Sequence, residues 1–241
     1  MIQAEPLTRF VVAGCSRSGT TYMAELMSAL GFKCGHERVF NIWSITGLGD
    51  LIDPMTAFFD LGEKQGDASF LSIPYIDQLP KGTIVLHQVR NPLEVIQSHM
   101  GIRFFADPYL PSMYLANEHP RILGFLQTHC QEIWETNTEI GRCMRYWYYW
   151  NRLAERAKHN PSLIYLRYRI EDINISTLRG IIRNIGGETP ETKCRQALAS
   201  ISKLTNARPR DTSWTFDRLP SGEDKERIIE LSTAFGYSVD I

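Results

Sequence analysis

What this sequence lacks narrows its reading at once. It has no apolar run of about 18 residues, the length a membrane-spanning helix needs, and no charged-then-apolar leader. The chain as given is therefore expected to be cytoplasmic and to lack a membrane span. It has no excess of either charge: 26 basic and 27 acidic residues leave a net −1. No global basic field points to DNA, RNA or an anionic membrane, so any phosphate recognition has to come from a local cluster. The five cysteines, Cys15, Cys34, Cys130, Cys143 and Cys194, are odd in number and far apart. They form no CxxC pair and no Cys/His spacing suited to zinc, which reads as reduced, mostly buried thiols and no metal. Repeats, low-complexity tracts and Gly/Ser linkers are missing too, so the 241 residues are expected to form one domain, 1–241.

What is present is an alternation of short apolar runs with amphipathic stretches. Residues 10–13 are an apolar run closed by Gly14, as in a buried parallel strand. Residues 20–30 read as a helix with Tyr22, Leu26 and Leu30 on one face and Gly31 as its stop. Residues 32–35, 83–89 and 163–166 are further strand candidates, and Pro92 suits the first turn of a helix running to about residue 100. A long helix is expected over 126–159, broken near Gly141, with three more over 177–185, 191–204 and 223–235. Residues 50–74 carry no clear period. Residues 101–126 are rich in aromatics and prolines and read as an inserted lid, whose Phe104, Phe105, Tyr109 and Tyr114 either stack on a sugar or an aromatic acceptor or pack on their own domain. The alternation predicts an α/β fold of three α/β/α layers around a mainly parallel sheet, like the P-loop NTPases.

The chemistry concentrates between the first strand and the first helix, in Gly14-Cys15-Ser16-Arg17-Ser18-Gly19-Thr20-Thr21. Glycines permit a tight turn whose N–H groups converge on one anion, and the positive end of the helix favours the same anion. Hydroxyls on Ser16, Ser18, Thr20 and Thr21 and the guanidinium of Arg17 add donors. The nearest pattern is G-x-x-x-x-G-K-[ST]. Both glycines and the final hydroxyl are kept, but Thr20 stands where the lysine belongs. The later strand ends in Gln88-Val89-Arg90, with no acid to hold Mg²⁺. The anion cradle remains without the equipment for NTP hydrolysis.

These residues resemble the PAPS-dependent sulfotransferases. Arg17-Ser18-Gly19-Thr20-Thr21 is similar to their 5′-phosphosulfate loop. Residues 90–98 resemble their second element, an arginine ending a strand and a serine on the next helix, which implies that Arg90 and Ser98 hold the donor's 3′-phosphate. Looser echoes are the aromatic run 146–150, residues 169–173 and Trp214 with Phe235-Gly236-Tyr237. No Arg-Lys-Gly element of the cytosolic type is present; Arg208-Pro209-Arg210 is the substitute at hand.

The resemblance implies PAPS as donor, no metal, and in-line attack by a hydroxyl or amine of an acceptor, a glycan or small molecule. Arg17 would then neutralise the growing charge. A general base must take the acceptor proton, and Glu37, with His36 second, stands past the first helix at the same sheet edge. The carboxylate resembles the base of the bacterial glycan-sulfating branch. His99, on the 3′-phosphate helix, is a poorer base. Trp147 and Trp150 read as core, Glu171 and Asp172 as helix-start acids, and His119 and His129 as surface residues. The rivals are a P-loop small-molecule kinase, which would need the missing lysine and acid, and a catalytically inactive nucleotide-binding protein.

Overall fold

Two strands built on apolar runs set the architecture. In the computed structural model, which describes residues 8–46, 53–106, 118–202, 211 and 213–239, β1 (Arg9–Ala13) and β4 (Ile84–Val89) pair in parallel at the centre of a sheet. Their side chains alternate between two cores. Val11, Ala13, Val85 and Val89 face one, and Phe10, Val12, Ile84 and Leu86 face the other. Burial on both faces is why residues 10–13 and 84–86 are apolar without a break.

The sheet has the order β2-β3-β1-β4-β5, all parallel, with β2 at Lys33–His36, β3 at Gln65–Ala68 and β5 at Ile164–Arg169. One face is covered by α1 (Thr20–Ala29), which follows β1 directly. On the way to β3 the chain forms two short helices, α2 (Ile42–Ile45) and α3 (Pro54–Phe59). The opposite face carries α4 (Pro92–Gly101), α5 (His119–His129) and α6 (Glu139–Ala154). Beyond β5, α7 (Ile175–Asn184) and α8 (Glu191–Ser200) return to the α1 side, and α9 (Glu223–Ala234) packs against α6. The three-layer α/β/α arrangement is as the alternation predicts.

Two expectations need correction. The long helix over 126–159 is two helices, and the break lies at 130–138 rather than near Gly141. The decisive residue is Thr138, whose hydroxyl accepts the Gly141 N–H at 3.1 Å and so starts α6. Residues 119–126, the last part of the expected lid, form most of α5. Phe104 and Phe105 are buried, while Tyr109 and Tyr114 lie outside the described residues. His119, expected at the surface, is 1 % exposed, with its Nε2 2.8 Å from the Phe104 carbonyl. Trp147 and Trp150 are wholly buried, as a core reading requires. No helix among the described residues is long and apolar enough to cross a membrane.

Candidate active site

The β1–α1 loop turns sharply because two of its residues take left-handed backbone angles, Arg17 at φ 67° and Gly19 at φ 93°. Gly14 is fixed by a close approach: a Cβ there would stand 2.4 Å from the carbonyl oxygen of Gln88. The loop thereby opens at the carboxyl ends of β1 and β4, the edge where open α/β sheets bind ligands.

Its hydroxyls then divide into two sets. Ser18 Oγ and N–H both donate to the Cys15 carbonyl, inside the turn. Ser16 is held from below: its N–H donates to Tyr146 Oη at 2.8 Å, and its hydroxyl is 2.8 Å from His99 Nε2. His99 Nδ1 faces the Val95 carbonyl, an acceptor, so the proton is assigned to Nδ1 and Nε2 accepts from Ser16. Burial, with the Arg17 charge beside it, pushes the His99 pKa down to about 3, which keeps the ring neutral. Thr20 and Thr21, by contrast, turn their hydroxyls to His36 Nε2 at 3.2 and 3.1 Å.

Arg17 and Arg90 meet at this loop. Arg90 NH1 donates to the Arg17 carbonyl at 2.6 Å and its Nε to Glu94 at 2.7 Å, while Arg17 Nε donates to Ser98 Oγ at 2.8 Å. The sequence-expected residues Arg17, Arg90 and Ser98 are thus brought together, and Ser98 reaches the site through Arg17.

Glu37 follows β2 with φ 50°, its N–H donating to the Ala68 carbonyl at 3.1 Å. Its carboxylate lies 3.7 Å from His36 Nε2. Burial, then the nearby Asp67 and Glu118 carboxylates, raises its pKa from 4.5 to about 7. Burial lowers that of His36. Arg17, Thr20, Thr21, His36, Glu37 and Arg90 all line one cleft of about 400 Å³.

Several supports of this cleft escape a reading of the sequence. Asp67 on β3 accepts the N–H groups of Arg38 and Phe40 at 3.0 and 3.1 Å, fixing the turn that carries Glu37. Gln88 donates to the Ser18 carbonyl and accepts from Tyr168 Oη, both at 2.8 Å, tying the loop to β5. The α6 aromatics also work as ties: besides Tyr146, Trp147 Nε1 donates to the Arg90 carbonyl and Trp150 Nε1 to that of Phe70. Buried Trp and Tyr polar atoms need partners, the one signal that pointed to such roles. Glu171 accepts from Asn91 N–H and Tyr237 Oη, and Asp172 pairs with Arg169. Arg208-Pro209-Arg210 lies outside the described residues.

Known structures share this framework. A sulfotransferase domain from the curacin biosynthetic pathway matches with a TM-score of 0.54 and 13% identity, covering 99% of this chain and 100% of that one. The fold is that of the sulfotransferases. Looser matches to sulfotransferase structures are the mouse protein SULT7A1 complexed with PAP (TM-score 0.47, 15% identity, 87% of this chain and 69% of that one) and the protein from Alicyclobacillus acidocaldarius (TM-score 0.44, 14% identity, 97% and 92%). No protein-family profile matches the chain, and no curated protein sequence does. Within the sulfotransferase fold, the cleft described above sits at the loop joining the first strand to the first helix.

Proposed function

We propose that this chain is a sulfotransferase that moves a sulfuryl group from PAPS to a hydroxyl, or amine, of an acceptor. The observation that carries the reading is one cleft that joins an arginine-bearing anion loop to a carboxyl, Glu37, whose pKa of about 7 suits a general base.

The donor set fits the nucleotide. Arg17, the start of α1 at Thr20 and Thr21, and Arg90 with Ser98 offer two cationic centres around a loop, as a 5′-phosphosulfate and a 3′-phosphate require. Gly14 leaves no side chain against that loop. When bound, PAPS supplies a sulfuryl group whose transfer leaves PAP. Arg17 would hold the charged end, helped by Thr20 and Thr21, whose hydroxyls the neutral His36 orients. Glu37 would take the acceptor proton. Positioning and charge stabilisation are the main demands of such a transfer.

The kinase reading is weaker on a specific ground. The buried acid nearest β1, Asp67, already accepts two backbone N–H groups of the 38–40 turn, and Thr20 replaces the lysine that a nucleoside triphosphate needs. Thermal unfolding with PAP, and separately with ATP and Mg²⁺, decides between them. PAP alone should raise the melting temperature, an effect lost in Arg90→Ala. Stabilisation by ATP–Mg²⁺ and not by PAP would overturn the proposal.

A further inference from the structure

One peptide group in the cleft wall is gripped at both of its polar atoms. It joins Arg90, which follows β4, to Asn91, which precedes α4. Its carbonyl accepts Trp147 Nε1–H at 3.0 Å, and its N–H donates to Glu171 Oε1 at 2.9 Å. A planar group pinned at both ends cannot swing, so it fixes the direction in which the Arg90 side chain leaves the backbone. Arg90 and Glu171 both line the cleft.

Glu171 is solvent-exposed, and an exposed carboxylate on a flexible stem does not keep one position unaided. Here its second oxygen, Oε2, accepts Tyr237 Oη–H at 3.0 Å. Tyr237 is only 9% exposed. Burial, then the Glu171 charge, pushes its pKa up, so the phenol keeps the proton it donates. The ring is in turn held from two sides. Helix α9 closes on Gly236, at φ 82°, with the Gly236 and Tyr237 N–H groups donating to the Thr233 and Ser232 carbonyls at 2.9 and 3.0 Å. Arg169 donates to the Gly236 carbonyl and grips Asp172 through Nε and Nη2 at 2.6 and 2.9 Å. Its guanidinium lies over the Tyr237 ring, 5.2 Å from the centroid.

We propose that Tyr237 is a positioning residue for the donor: through Glu171 it fixes the Arg90–Asn91 peptide and so aims Arg90 at the 3′-phosphate of the bound nucleotide. The inference rests on the sulfotransferase reading of the cleft. Tyr237 acts at one end of the nucleotide, because the loop facing the 5′ group has ties of its own from Gln88 and Tyr146. Trp147 still holds the peptide's carbonyl when the phenol hydroxyl is lost, so Arg90 is loosened rather than released.

Calorimetric titration with PAP and with AMP, which lacks the 3′-phosphate, tests this. In the wild type PAP should bind tighter than AMP. Y237F should weaken PAP about threefold to tenfold, the worth of one hydrogen bond, and change AMP by less than about twofold. E171Q, whose amide can still bridge Asn91 N–H and Tyr237 Oη, should keep the wild-type ratio. Y237F added to E171A should weaken PAP no further than E171A alone. Equal loss of both nucleotides in Y237F, undiminished PAP binding in Y237F, or a Y237F effect that persists in E171A overturns the inference. A wild type that binds PAP no tighter than AMP, or binds neither, strikes instead at the sulfotransferase reading.

Discussion

Replacing Glu37 by glutamine separates catalysis from fold at the residue where the two conflict. The carboxyl rises from 4.5 to about 7 because it is held away from water beside Asp67 and Glu118. At ~1.4 kcal/mol per tenfold change, that shift corresponds to roughly 3 kcal/mol. Solvent reaches 33% of the side chain, so screening reduces the effect to about 1–2 kcal/mol. Between pH 4.5 and 7 the folded protein keeps a proton on Glu37 that the unfolded chain releases, so stability falls as pH rises through this window. Glutamine has no proton to keep. Urea unfolding should therefore show E37Q gaining on the wild type by about 1–2 kcal/mol between pH 4.5 and pH 8. Activity should move the other way. A base must be ionised, so wild-type kcat/KM should rise through about pH 7 and level off above it. In E37Q that limb should vanish and kcat fall by about 10²–10⁴ at saturating donor. A variant with near-normal kcat, or a wild-type profile flat down to pH 5, refutes Glu37 as the base.

Two further substitutions probe the ties beneath the loop. Tyr146→Phe removes the acceptor of the Ser16 N–H. It should cost about 1–3 kcal/mol in urea unfolding and raise KM for PAPS more than it lowers kcat, because it loosens the loop and touches no base. Gln88→Leu strips partners from the Ser18 carbonyl and Tyr168 Oη together. It should cost roughly 2–4 kcal/mol, about the penalty for two orphaned buried groups, and weaken PAP in calorimetry.

Strong local patterns made the sheet's centre legible. Residues 10–13 of β1 and 84–86 of β4 are apolar without a break because both faces are covered, and expectation and structure differ in the strand bounds by a residue at most. β3 went unread for the opposite reason. Gln65-Gly66-Asp67-Ala68 is four residues long, with a glycine and an acid where a central strand usually carries branched apolar side chains. Its place between β1 and β2 is set by tertiary pairing, and Gly66 fits because a Cβ would stand 2.4 Å from the Phe10 carbonyl oxygen. The α5–α6 break was misplaced because Gly141 looks like a helix breaker. It is instead the residue whose N–H Thr138 caps. Short spacings placed Arg17, Thr20, Thr21 and Glu37 at one sheet edge, and all four line the cleft. Asp67 and Glu118 could not be read that way, since each acts on Glu37 from a separate element, across about 30 and 80 residues of chain.

The placement of charge around the loop explains why losing the lysine need not cost anion binding. A P-loop lysine extends from the helix start. Here the cation sits three residues earlier, on a left-handed residue, and its guanidinium is held by Ser98 of α4. Arg90, at the turn into the same helix, is held by Glu94 one turn inside it. Helix α4 therefore fixes both arginines, and the Arg90 bond to the Arg17 carbonyl sets their separation across the loop. On the proposed function, two fixed cationic centres around one loop would select a ligand whose anionic groups stand apart, as the 5′ and 3′ groups of PAPS do. They would suit a linear triphosphate less well, because its charge lies along one chain and calls for a single cation reaching down its length.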